Sequence, residues 1–164
     1  METAYLETTV IGHLVGHLRR NSIIATRQAF TRQWWKTASS QYRFVVSQLV
    51  IEECSHGDPI VARERLEMIE SLPLLDVSEA VDRLANELMA RGAVPSTEPR
   101  DAFHVAVAAV NGIQYIVTWN FKHIANARMR LRIETVCRDA GFEPPIICTP
   151  EELAGEEDDV QLSD

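Results

Sequence analysis

Four oxygen-bearing side chains stand where the chain changes from one element to the next: Glu7 in AYLETT, Glu53 in SQLVIEEC, Asp101 in EPRDAFH and Asn120 in TWNF. Each falls at the expected end of a strand or the expected start of a helix. Oxygen donors far apart in sequence that share such junctions can converge on one magnesium or manganese site. A hard cation such as Mg²⁺ favours octahedral oxygen coordination and keeps several waters, so a few carboxylates and a substrate phosphate complete the sphere. Such an ion can provide an activated water and neutralise charge on a leaving oxygen. Without it, three clustered carboxylates repel one another and at least one pKa rises. The chain offers no convincing Ser/His/Asp arrangement, and this chemistry needs no protein nucleophile.

Each of these residues also has a plainer use. Asp101 can cap its helix or complement the helix dipole, Glu7 can be a solvated turn residue, and Asn120 can stabilise the turn after a strand. Of the neighbours Glu52 and Glu53, helical geometry points only one inward. Thr8, Thr9 and Thr118 carry hydroxyls suited to orienting carboxylates or metal waters, although threonine is ordinary in strands and turns. His104, three residues after Asp101, shares its helix face and reads as a buried, hydrogen-bonded histidine. Cys54 and His56 lack two further ligands for zinc. Cys54, Cys137 and Cys148 have no paired spacing and read as reduced, mostly buried thiols.

The elements that must position these groups alternate between strand and helix. Residues 3 to 6 read as a short strand running through ETT into a functional turn. Ser22 is expected to cap a helix with Ile23, Phe30, Trp34 and Ala38 on its apolar stripe. YRFVVSQLV reads as a strand passing into the turn or helix that carries Glu53. Asp58 and Pro59 start a helix to about Ser71, and LPLLDV is a short extended candidate. Ser78 opens a helix with Val81, Leu84, Ala85 and Leu88 on one face, closed by Gly92. Pro99 and Asp101 begin AFHVAVAAVN, which Gly112 ends. QYIVT is a buried strand, residues 122 to 140 a long helix, PPIICT a last strand, and Thr149 with Glu152 a capping box. This alternation predicts a parallel α/β sheet covered on both faces, with ligands at the carboxyl ends of its strands.

At 164 residues and 46% apolar content the chain suits one compact domain. Glu2 stands where a secretory signal would carry basic residues, and no apolar run approaches the ~18 residues of a membrane span, so a cytoplasmic location is expected. The net charge of −8 looks unfavourable for a nucleic-acid partner. However, residues 151 to 164 hold seven of the 24 acidic residues and none of the 16 basic ones, so the first 150 residues carry only −1. Acidity therefore does not exclude RNA. The segment from Gly155 has little apolar content and reads as a disordered acidic tail.

Taken together, YLETTVIG, SQLVIEE, PRDAFHVAVA and YIVTWNFKHI resemble, in order and spacing, the PIN-domain family, in particular VapC-type toxins of toxin and antitoxin pairs. The resemblance covers nearly the whole chain to about residue 150. It implies a three-layer α/β fold over residues 1–154, with a central, mainly parallel sheet of four or five strands flanked by helices and residues 155–164 as tail. It also implies a metal-dependent ribonuclease that holds Mg²⁺ or Mn²⁺ in an acidic cluster, a cognate antitoxin, and a homodimer. The family's acidic positions correspond to Glu7, Glu53, Asp101 and Asn120, which selects Glu53 over Glu52. Two positions depart from the pattern: Glu7 replaces the usual Asp, and Asn120, where many members have an acid, supplies no negative charge. RNA-contact candidates flank these segments: His13, His17, Arg19 and Arg20 on one side, Lys122, His123, Arg128, Arg130 and Arg132 on the other. Trp34 and Trp35 read as core or dimer contacts rather than base-stacking platforms. The rival expectation is a catalytically weakened PIN-like module that binds RNA or protein, and a purely structural partner protein is a third.

Overall fold

A computed structural model describes residues 1–120, 122, 124 and 126–155. The expected acidic tail lies outside the described residues from 156 onward, as does His123. Four strands, β1 (Glu2–Leu6), β2 (Tyr42–Val45), β3 (Tyr115–Val117) and β4 (Ile146–Cys148), form one sheet in the order β2-β1-β3-β4. All three pairings are parallel, with Tyr5 opposite both Val45 and Ile116. This is the three-layer α/β arrangement expected above, with four strands. In the central strands, Ala4, Tyr5, Leu6, Ile116 and Val117 are wholly buried, as a parallel sheet covered on both faces requires.

Among the described residues there are eight helices: α1 (Thr8–Leu14), α2 (Ser22–Gln41), α3 (Gln48–Cys54), α4 (Pro59–Ile69), α5 (Glu79–Ala90), α6 (Pro99–Val110), α7 (Ala127–Asp139) and α8 (Pro150–Leu153). α1 packs on α2, α3 and α4, and α5 packs on α6 and α7. The chain leaves β1 toward β2 on one side and later enters β3 on the other side of β1. β1 and β3 are therefore the neighbours between which the winding reverses. In open α/β sheets the carboxyl ends of such neighbours are the usual ligand position.

Several expected elements are present as read. Asp58 Oδ1 accepts from Ile60 N and Val61 N at 2.9 and 3.2 Å, with Pro59 opening α4. Val81, Leu84, Ala85 and Leu88 are the buried face of α5, and Thr149 with Glu152 makes both bonds of a capping box. The three cysteines are free and buried. No described helix is long and apolar enough to cross a membrane.

Other expectations change, each for a local reason. The turn expected at ETT is the start of α1: Glu7 is its N-cap, and Val10, Ile11 and Leu14 bury one face. Asn21, not Ser22, caps α2, its Oδ1 accepting from Ile23 N and Ile24 N at 3.0 and 3.4 Å. Ile23 is 63% exposed and stands off the stripe that buries Trp34 and Ala38. The strand read through YRFVVSQLV stops at Val45, because the Ser47 hydroxyl accepts from Val50 N at 3.4 Å and begins α3. LPLLDV contributes only an isolated bridge between Val46 and Leu74. α7 begins at Ala127, not at 122, since Asn126 Oδ1 caps it through Arg128 N at 3.0 Å.

Candidate metal centre

The site is built on the reversal between β1 and β3. Glu7 N donates to Val117 O at 3.1 Å, extending the β1–β3 ladder by one bond. The chain then turns into α1, and both Glu7 carboxylate oxygens face Thr9 N at 2.8 and 3.2 Å. Glu7 is only 4% exposed. Its carboxyl pKa is raised, chiefly by burial and further by Glu53; the charge of His104 and the Thr9 N–H act in the opposite direction. Thr9 closes the other side, its Oγ1 accepting from Trp119 N at 2.9 Å. Thr118 Oγ1 accepts from Asn120 N at 3.0 Å. The Thr9 hydroxyl therefore fixes the loop after β3 against the start of α1, and the Thr118 hydroxyl shapes that loop from within.

Glu53 enters from α3. Val50 and Cys54 face the core and Glu52 faces solvent, so Glu53 is the one of the adjacent glutamates that turns inward. The Thr8 hydroxyl and His104 Nε2 both meet Glu53 Oε1 at 2.8 Å. The other oxygen, Oε2, lies 3.9 Å from the exposed Arg100 guanidinium. Burial pushes the Glu53 carboxyl up, but the hydrogen bond and charge of His104, the Thr8 hydroxyl and Arg100 outweigh it and hold the pKa below its ordinary value.

Asp101 is in the first turn of α6, 7% exposed, with Glu98 rather than Asp101 at the cap position. Asn120 Nδ2 stands 3.5 Å from Asp101 Oδ1. His104 follows one turn along the same helix and is 2% exposed. The structure thus brings Glu53, Thr8, His104 and Arg100 into direct contact, pairs Asp101 with Asn120, and couples Glu7 electrostatically to Glu53 and His104.

The RNA-contact candidates separate into free-standing and committed groups. Arg19 and Arg20 lie exposed between α1 and α2, and Lys122 and Arg128 are exposed beyond β3. Arg130 instead holds the C-terminal edge, donating to Ile147 O at 3.0 Å and lying 3.4 Å from Glu152. His13 Nδ1 is 2.7 Å from Thr9 O, and the ring stacks on Trp119 at 5.9 Å. These contacts hold the ring against α1 and Trp119, and burial lowers its pKa. Trp34 and Trp35 pack on Phe44 at 5.7 and 4.8 Å, in keeping with core contacts.

Two polar residues of this region were not singled out in the sequence, Tyr5 and Ser47. Tyr5 Oη lies 2.7 Å from Ser47 Oγ and 2.6 Å from His104 Nδ1. The available signal was a tyrosine in a strand buried on both faces, since a buried phenol needs a partner.

Models of known protein families yield no match to this chain, and neither do curated protein sequences. The donor set nevertheless suits a hard divalent cation in kind. Glu7 and Asp101 are buried carboxyl groups, one of them raised by burial, which is the environment a cation relieves. Among the described residues no three acid, imidazole or thiol side chains are grouped so that they could hold a metal ion. Closing a coordination sphere would fall to rotation of these side chains, the Asn120 carbonyl oxygen and water.

Proposed function

We propose that the protein is a metal-dependent ribonuclease that hydrolyses RNA phosphodiester bonds, as the toxin of a toxin and antitoxin pair. The observation that carries this reading is the arrival of Glu7, Glu53, Asp101 and Asn120, from four distant segments, at the sheet's winding reversal. When bound, Mg²⁺ or Mn²⁺ supplies charge neutralisation and a water activated at neutral pH. Asp101, starting from the rigid first turn of α6, and Glu7, fixed by Thr9 N, would be the ligands with least freedom to move. Glu53 has one oxygen held by His104 and Thr8, so Oε2, 3.9 Å from the Arg100 guanidinium, would be the oxygen to hold a cation. Arg100 offers positive charge beside that oxygen, and Arg19, Arg20, Lys122 and Arg128 offer phosphate contacts further out. A cytoplasmic location, a cognate antitoxin and a homodimer belong to the same reading.

The rival module, which binds RNA or protein without cutting, draws on two observations: Asn120 turns an amide N–H toward Asp101, and no ready three-ligand group stands among the described residues. The deciding experiment incubates labelled RNA with the purified protein in Mg²⁺, Mn²⁺ or EDTA, alongside Asp101→Asn. The nuclease reading expects metal-dependent cleavage that Asp101→Asn abolishes while its circular dichroism spectrum is unchanged. Full cleavage by Asp101→Asn refutes the assigned site. RNA binding without cleavage or metal affinity assigns the chain to the rival.

A further inference from the structure

A chain of buried hydrogen bonds runs into the site from the sheet, and holding a cation does not by itself require it. Tyr5, in the central strand β1, reaches Ser47 Oγ on one side and His104 Nδ1 on the other. The opposite ring nitrogen, His104 Nε2, meets Glu53 Oε1. Ser47 also caps α3, the helix that carries Glu53. Three elements, β1, α3 and α6, are thereby tied to one carboxylate oxygen.

Donor and acceptor chemistry sets the direction of this chain. An ionised carboxylate can only accept, so Nε2 carries the hydrogen. In the neutral ring Nδ1 then accepts from the Tyr5 hydroxyl, and the Tyr5 oxygen accepts from Ser47. In a doubly protonated ring Nδ1 donates to Tyr5, and Tyr5 donates to Ser47. The Nε2–H bond to Glu53 is the same in both. An apolar pair of similar shape could fill this part of the core without burying four polar groups, so packing alone does not explain the arrangement. Glu53 itself has three rotatable bonds, and only Thr8 and His104 fix Oε1.

We propose that Ser47, Tyr5 and His104 form a positioning relay that pins Glu53 Oε1 and presents Oε2 to the bound cation. The proposal rests on the ribonuclease reading and adds residues that never touch cation or RNA. Removing such partners lowers metal affinity or activity by roughly 10–100-fold where they have been measured. Tyr5→Phe keeps the ring and deletes one hydroxyl. His104→Gln keeps an N–H donor near the Nε2 position, whereas His104→Leu keeps none.

The test titrates Mn²⁺ alone into the wild type and the three variants by calorimetry, and measures kcat and KM for a labelled single-stranded RNA. Thermal unfolding of each metal-free variant establishes which are folded. The relay predicts a fall of about 10-fold or more in Mn²⁺ affinity and kcat for Tyr5→Phe, with KM for RNA unchanged. It also predicts that His104→Gln retains more of both than His104→Leu. If the His104 variants do not fold, Tyr5→Phe decides. Wild-type Mn²⁺ affinity and kcat in folded Tyr5→Phe overturn the relay and leave the ribonuclease standing. A wild type that neither binds Mn²⁺ nor cuts RNA overturns the ribonuclease, and with it the relay's purpose.

Discussion

Asn120→Asp tests the geometry and the chemistry of the site in one substitution. Asn120 Nδ2 lies 3.5 Å from Asp101 Oδ1, so the variant sets a second carboxylate against a residue that is 7% exposed. At that separation two charges repel by about 5 kcal/mol at an effective dielectric of about 20. Two effects reduce this: Asn120 is partly solvated, which screens the charge, and one carboxyl can take up a proton. At about 1.4 kcal/mol per pKa unit and an ordinary Asp pKa of about 3.9, protonation caps the penalty near 4 kcal/mol at pH 7 and near 1.5 kcal/mol at pH 5. The sign follows from linkage. A carboxyl whose pKa is raised in the folded state carries no penalty below its unfolded pKa and loses stability as the pH rises through the folded value. At roughly 2–4 °C per kcal/mol for a chain of this size, a loss of about 2–4 kcal/mol lowers the unfolding midpoint at pH 7 by roughly 5–15 °C. Mn²⁺ at about 100 times its Kd restores about 2.7 kcal/mol, and its upward shift should be larger in the variant than in the wild type. Circular dichroism melts at pH 5 and pH 7, in EDTA and in Mn²⁺, read all four quantities. Equal midpoints for wild type and variant at pH 7 in EDTA would refute the pairing of Asn120 with Asp101. A smaller Mn²⁺ shift in the variant would remove Asn120 from the cation's ligands.

Glu7→Gln keeps the shape of a 4% exposed side chain and removes a carboxyl whose pKa burial has raised, so the metal-free variant should melt higher at pH 7 and bind Mn²⁺ more weakly. The stability gain should vanish once the pH falls below the ordinary Glu value of about 4.3, and a gain that persists there would point to another cause. Asn21→Ala should cost about 1 kcal/mol through loss of the α2 cap, and Ser22→Ala only a few tenths, as urea unfolding would show. Ile116→Ala, in a wholly buried central strand, should cost about 2–5 kcal/mol by the same measurement, and a smaller loss would contradict its burial. Light scattering at micromolar concentration should find a homodimer, and a monomer unaffected by dilution would count against it.

Much of this architecture is legible in single residues because the physics is local. Asp58 before Pro59, the four apolar positions after Ser78, and Thr149 with Glu152 need only neighbours within four residues to take up their roles. Reading fails where two local signals compete. Ser22 is a good capping residue, but Asn21 precedes it and captures the N–H groups of Ile23 and Ile24. SQLV follows a β-branched run and yet becomes helix, because the Ser47 hydroxyl offers Val50 N a partner that another strand residue would not.

The sequence by itself determined that the chain alternates strand and helix and that Glu7, Asp101 and Asn120 sit at element junctions, whereas Glu53, expected at a helix start, falls in the last turn of α3. Only the tertiary structure decided which of them meet and what orients them. Tyr5 finds Ser47 and His104 across 42 and 99 residues, and His104 finds Glu53 across 51. Such partners have no sequence period, since they depend on strand order, on the reversal between β1 and β3, and on the requirement that every buried polar group be satisfied.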